Sequence, residues 1–324
     1  MQTKTGLLYT TVFISGMTCL AIELAASRLL NPRFGDSNLV WATVIGLILV
    51  YLTVGYAVGG RWADRSPRRE TLFGIIAWAA FTIGLVPFVA NPVLRLADRG
   101  IAGWNAGILA GSFAAMLALF SIPVILLGCV SPFAIRLAVS DVTTAGGVAG
   151  RIYAISTAGS FLGTFLPALV TIPNIGTRNT FLLFAFLLLA VVFAGLGRRA
   201  LRYLWMPIVL IALAALLRGQ AVKPFEGAIY ESESAYNYIQ VVERDGVRYL
   251  LLNEGQGIHS VYDPENLRTF GTWDYFTIAP FFNPPPFGPE RVKRVAIVGL
   301  AAGTIARQST ALYGPLPIAG IAID

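Results

Sequence analysis

A single histidine, His259, and two cysteines, Cys19 and Cys129, are the whole supply of imidazole and thiolate among the chain's 324 residues. A zinc site needs closely spaced sets of Cys and His, so none can be assembled here and no metal is expected. Both cysteines sit inside apolar runs, which excludes a disulfide framework and a haem-attachment motif. Charge is equally scarce, at 13% of residues where ordinary soluble domains carry about 25%. Acidic residues are the rarer part, 17 against 24 Lys and Arg, for a net charge of +7. A basic excess gathered in one patch would suit nucleic acid. Here it is spread between apolar runs, as the loop arginines of membrane proteins are, and a nucleic-acid partner is discounted.

What the chain does have is apolar length: 56% of residues are hydrophobic and the mean hydropathy is +0.69. Such a composition is that of an integral membrane chain, with the lipid bilayer as its first partner. Residues 1–218 carry sixteen Lys and Arg against six Asp and Glu, whereas residues 219–324 carry eight against eleven. Two different solvents are implied. The first apolar run follows a basic start as a signal peptide does, but Glu23 interrupts its end and more apolar runs follow, so it reads as a retained span.

A membrane-crossing helix needs about 20 mostly apolar residues. Candidates fall near 6–26, 38–60, 71–94, 107–128, 147–172, 179–197 and 201–217, the last short and interrupted by Pro207. The expectation is six or seven spans within a domain of residues 1–218. One set of linkers holds Arg61, Arg65, Arg68, Arg69, Arg136, Arg151, Arg198, Arg199 and Arg202, with Lys4 on the same side. The other side holds Arg28, Arg33, Arg95, Arg99 and Arg178, and the bias predicts a cytoplasmic N-terminus in a cell or inner membrane. Seven spans would then place the remaining residues outside, and six would keep them in the cytosol.

Beyond Arg218 the period changes. Tyr236–Arg244 and Val247–Asn253 are β-rich runs joined by Asp245-Gly246, a two-residue signal for a type I′ hairpin. A β-hairpin and linker region is expected over 219–290. It includes a polar loop at Leu250–Pro264, a loop or short helix near Thr272–Phe281 and a Pro-rich linker at Asn283–Pro289. In residues 291–324 a short apolar strand, a Gly turn, a helix start and a second strand follow. A lone strand-helix-strand cannot bury both faces of a parallel sheet, so this segment reads as the beginning of a doubly wound domain.

Three clusters carry chemistry. The turn Gly299–Thr304 sits where a nucleotide-type ligand approaches a first strand-helix turn, with Gly299 and Gly303 allowing close approach and Asp324 placed to bond ribose hydroxyls; a plain tight turn is the alternative. The stretch LLLNEGQGIHSVYDP packs Asn253, Glu254, Gln256, His259, Ser260 and Asp263 together, either as a solvated loop or as a pocket rim. Within the membrane part Glu23, five residues before Arg28, marks either a substrate or proton path or a structural pairing. The loop Gly55–Arg69, GYAVGGRWADRSPRR, is similar to the charged loop of major-facilitator transporters, or is simply a basic loop.

The order of these pieces resembles the membrane-bound, spermidine-synthase-like family, a facilitator-like domain fused to a polyamine aminopropyltransferase. The resemblance is carried by Ser15–Leu30, Ala149–Val170, Glu233–Gly255 and Arg294–Arg307. It implies a multi-span α-helical membrane domain followed by a β-hairpin segment and the start of a Rossmann-like, methyltransferase-type α/β domain. It also implies aminopropyl transfer from decarboxylated S-adenosylmethionine to a polyamine such as putrescine, in the cytoplasm. Under that resemblance Gly299, Gly303, Gln256 and Asp324 contact the cofactor, and His259, Asp274 and Tyr275 contact the amine. Two departures stand out: Ala302 replaces the family's Gly-turn aspartate and Ala322 its ribose-binding glutamate, with Asp324 on the same strand face. The resemblance puts the catalytic aspartate beyond residue 324, so residues 1–324 alone are expected to be inactive. A transporter or sensor with a non-catalytic nucleoside- or polyamine-binding domain is the alternative, and a nucleoside-dependent methyltransferase a third.

Overall fold

The computed structural model describes residues 2–35, 37–102, 107–217, 227–234, 236–253 and 257–323. Two compact units divide at Lys223/Pro224. The first is helical: α1 (Gln2–Phe34), α2 (Asn38–Arg65), α3 (Arg69–Ala102), α4 (Gly107–Gly128), α5 (Val130–Ala138), α6 (Ala145–Leu166), α7 (Ile172–Leu196) and α8 (Trp205–Leu216). A π-helical turn, Pro167–Thr171, joins α6 to α7, and a 3-10 segment, Gly197–Tyr203, leads to α8.

Among the described residues five helical runs are long and apolar enough to cross a membrane: Thr5–Asn31, Asn38–Arg65, Arg69–Ala97, Leu109–Ala138 and Val142–Tyr203. At the C-terminal end one of these runs holds two of the expected spans. The expected spans 147–172 and 179–197 lie in one 62-residue run that turns at Gly176, where φ is 79° and ψ 166°. The expected final span is the 12-residue α8, about 18 Å at 1.5 Å per residue, short of the roughly 30 Å of hydrocarbon.

Helix α2 shows why this unit suits lipid. Its buried stripe runs Val40, Val44, Leu47, Ile48, Tyr51, Gly55, Gly59, Ala63, at helical spacing. The opposite face exposes Leu49, Val50, Val54 and Val58. In water that face would be polar; an apolar outside is what a hydrocarbon solvent selects. Helix α1 packs against α6 at very short range. A β-carbon on Gly159 or Gly163 would overlap the carbonyl oxygens of Phe13 and Met17, and Ser160 Oγ donates to Gly16 O at 3.1 Å. Small residues let helix backbones meet where lipid supplies no hydrophobic drive.

The second unit holds a four-stranded antiparallel sheet in the order β1 (Ala228–Glu233), β2 (Tyr238–Arg244), β3 (Val247–Leu252), β4 (Gly257–Tyr262). After it come α9 (Trp273–Phe276), β5 (Val295–Val298), α10 (Thr304–Tyr313) and β6 (Ile318–Ile321), with β5 and β6 paired in parallel. The expected hairpin is β2–β3, and Asp245 and Gly246 both take positive φ, 51° and 79°. Gly246→Ala is therefore expected to cost about 1 kcal/mol through backbone strain alone, because nothing lies within 4 Å of the added carbon; a thermal melt of the variant checks this. The polar loop expected at 250–264 is half strand, since 257–262 forms β4 and adds an edge to the hairpin. Its polar residues masked the alternation from sequence.

Candidate functional site

The site is built where β4 meets the glycine turn. Leu250 pairs with Ser260 and Leu251 with Ile258, so His259 is the extra residue of a β-bulge. The bulge leaves His259 exposed and turns the next two residues, Ser260 and Val261, into buried positions. Ser260 Oγ accepts from Ala302 N at 3.0 Å. Thr304 Oγ1 accepts from Val261 N at 2.8 Å and donates to Val261 O at 2.9 Å. Three hydrogen bonds thus hold the sheet edge against the turn that opens α10.

The turn needs unusual backbone. Gly299 and Gly303 both have φ of 86°, and Ala301 sits at 48°. Between the turn and the sheet lies a cleft of ≈ 350 Å³ lined by Arg248, Leu250, Ser260, Tyr262, Ala302 and Arg307 among others. The Arg307 guanidinium stacks 4.8 Å above the Tyr262 ring, and Arg248 Nε lies 2.9 Å from Glu243 Oε2. Glu243 offsets the charge of Arg248, and the Arg307 guanidinium in so small a volume favours neutral or anionic ligand groups over cations.

Asp274 sits on α9 with its carboxylate filled. It accepts from Thr269 Oγ1 at 2.8 Å, Thr269 N at 3.1 Å, Phe270 N at 2.9 Å and Gln308 Nε2 at 2.6 Å. Burial pushes its pKa up, but the bonds from Thr269, Gln308 and Phe270 outweigh this and hold the carboxyl below the ordinary value. Asp274 is thereby a brace between the 269–274 loop and α10. Tyr275 beside it is 74% exposed, and Tyr313 Oη donates to Thr277 O, closing the same corner.

Of the residues singled out from sequence, Gly299 and Gly303 flank the turn, while His259 lies on β4 and Asp274 and Tyr275 lie together on α9. Gln256 and Asp324 lie outside the described residues. Glu23 and Arg28 are both half-buried on α1, within the span Thr5–Asn31. Sequence reasoning missed the contacts of Ser260, Thr304, Arg307 and Gln308. Ser260 stood in the polar stretch and Thr304 closed the turn motif, but their pairing spans more than forty residues and leaves no local signal. Among the described residues no group of three or more His, Cys, Asp or Glu could hold a metal ion. Comparison with family models, curated proteins and solved structures finds no match for this chain.

Proposed function

We propose that the chain is a membrane-anchored, spermidine-synthase-like protein whose second unit takes the nucleoside of decarboxylated S-adenosylmethionine at the Gly299–Thr304 turn. The observation that supports this most is the stitching of β4 to the turn by Ser260 and Thr304. It sets a β-sheet wall beside the strand-turn-helix unit of a Rossmann-like beginning, the place where nucleosides approach a parallel sheet. In this reading the membrane helices tether the domain, and the amine acceptor is a polyamine such as putrescine, delivered from the cytosol. The deprotonated amine attacks the carbon beside the sulfonium, forming a C–N bond as the C–S bond breaks and methylthioadenosine leaves.

A second reading, binding without transfer, is favoured by the site's charge. Arg248 and Arg307 line the cleft, and Asp274, the carboxylate expected to hold a diamine, is saturated by Thr269, Phe270 and Gln308. Thermal-shift titration of the full-length protein separates the two. Aminopropyl transfer requires stabilisation by methylthioadenosine and by decarboxylated S-adenosylmethionine, with methylthioadenosine released once putrescine is added. A binder is stabilised by methylthioadenosine, releasing nothing. At about a hundredfold excess over Kd the stabilisation should reach about 2.7 kcal/mol, and a flat response to both ligands rejects both readings.

A further inference from the structure

The helical unit contains a second cavity, of ≈ 540 Å³, that no part of the proposed function uses. It runs between the end of α2, the start of α3, the C-terminal part of α4 and the 3-10 segment before α8. Its polar groups gather at one end: Arg68, Glu70, Thr71, Arg202 and Tyr203. Ile75, Trp78, Ile122 and Leu126 line the rest. Thr82, at the deep end, adds no free polar group, since its hydroxyl donates to Trp78 O at 2.8 Å and Ala79 O at 3.0 Å. From Arg68 to Thr82 the wall rises about 20 Å at 1.5 Å per residue, more than the roughly 15 Å of one leaflet's hydrocarbon. The cavity is therefore a groove along the helix with one charged end.

The charged end is cationic. Glu70 is the single carboxylate among the lining residues, and it is already in an ion pair with Arg199. Arg202 and Arg68 face the groove as exposed guanidiniums, and Tyr203 Oη lies over Gly74, where a β-carbon would meet it at 2.9 Å. An adjoining hollow that shares Trp62 adds Arg61 and Arg65 to the rim. Trp62 is exposed at this level, as aromatic residues are at a membrane interface. A free inorganic anion would use the polar end alone and leave the apolar wall bare. A neutral hydrocarbon would leave Arg68 and Arg202 with one carboxylate, Glu70, that Arg199 already pairs. Both parts are satisfied by one amphiphile with an anionic phosphate head.

We infer that this groove binds a single anionic phospholipid, its phosphate between Arg68 and Arg202 and an acyl chain along Trp78, Ile122 and Leu126. Basic side chains at a bilayer surface each strengthen attraction to anionic lipid, and the planar guanidinium fork suits phosphate oxygens.

The test reconstitutes the full chain into vesicles of equal phosphatidylcholine and phosphatidylglycerol, extracts it gently and reads retained lipid by native mass spectrometry. The wild type should carry phosphatidylglycerol in preference to phosphatidylcholine. Arg68→Gln/Arg202→Gln should lower the retained phosphatidylglycerol about tenfold, whereas Arg198→Gln, on the same 3-10 segment but outside the groove, should leave it unchanged. Thr82→Trp, which plugs the deep end with both arginines intact, should cause a comparable loss. Undiminished phosphatidylglycerol in the double variant or in Thr82→Trp overturns the site. So does equal retention of phosphatidylcholine, or displacement of the lipid by excess inorganic phosphate, which would mark a free-anion site instead.

Discussion

Gly163→Leu is expected to abolish the folded form of the helical unit, whereas Gly150→Ala, thirteen residues earlier on the same helix, is expected to stabilise it slightly. At Gly163 a β-carbon would overlap the Met17 carbonyl oxygen and lie 2.8 Å from Met17 C and 2.9 Å from Met17 Cα. Those are backbone atoms of α1 and cannot turn aside, so the helices must separate. Overpacking of this kind costs about 1–3 kcal/mol where the surroundings yield, and more where they do not. Separation also breaks the Ser160 to Gly16 bond and exposes the tightest seam of the unit. At Gly150 nothing lies within 4 Å of the added carbon, and alanine's helix propensity should add up to about 1 kcal/mol. Thermal melts of purified variants in detergent read both; a Gly163→Leu protein melting with the wild type would sink the backbone-contact account.

The second large effect belongs to Asp274. Replacing it with alanine leaves the donors of Thr269, Phe270 and Gln308 without their common acceptor, at a cost of about 2–4 kcal/mol. Amide exchange over Thr269–Thr277 and α10 should quicken by at least about 30-fold, with the helical unit unaffected. The same carboxylate sets an acid limit. Its folded pKa lies below the ordinary 3.8, so its contribution is complete above that pH and is lost as pH falls through the folded value. Protection of these amides, the exchange rate corrected for its intrinsic fall with pH, should therefore drop only below about pH 4 in the wild type, and that drop should be missing from Asp274→Ala. A wild-type corner that loosens instead near neutrality would show that another group holds it.

Local signals carried much of the architecture. The apolar runs marked the membrane-type helices because 3.6-residue periodicity and length are properties of each segment, and Asp245-Gly246 marked its turn because two positive φ values require such residues. Strands β1 and β4 escaped notice, since an edge strand with a bulge at His259 breaks the alternation that would reveal it. Gly176 divides the last apolar run, so that single 62-residue run holds both of the spans read near 147–172 and 179–197.

At the candidate site the division is sharper. Gly299, Gly303 and the polar stretch around His259 were legible as composition, but Asp274's donors come from positions up to 34 residues away and Ser260's partner from 42. By itself the sequence determined the solvent of each half, the helical stripes and the turns, all of which depend on neighbours within a few residues. Only the tertiary structure decided that Ser260 rather than His259 meets the glycine turn, that Asp274 is a brace, and that Arg68 and Arg202 share one groove, because each of those facts is a distance between segments that the chain keeps apart.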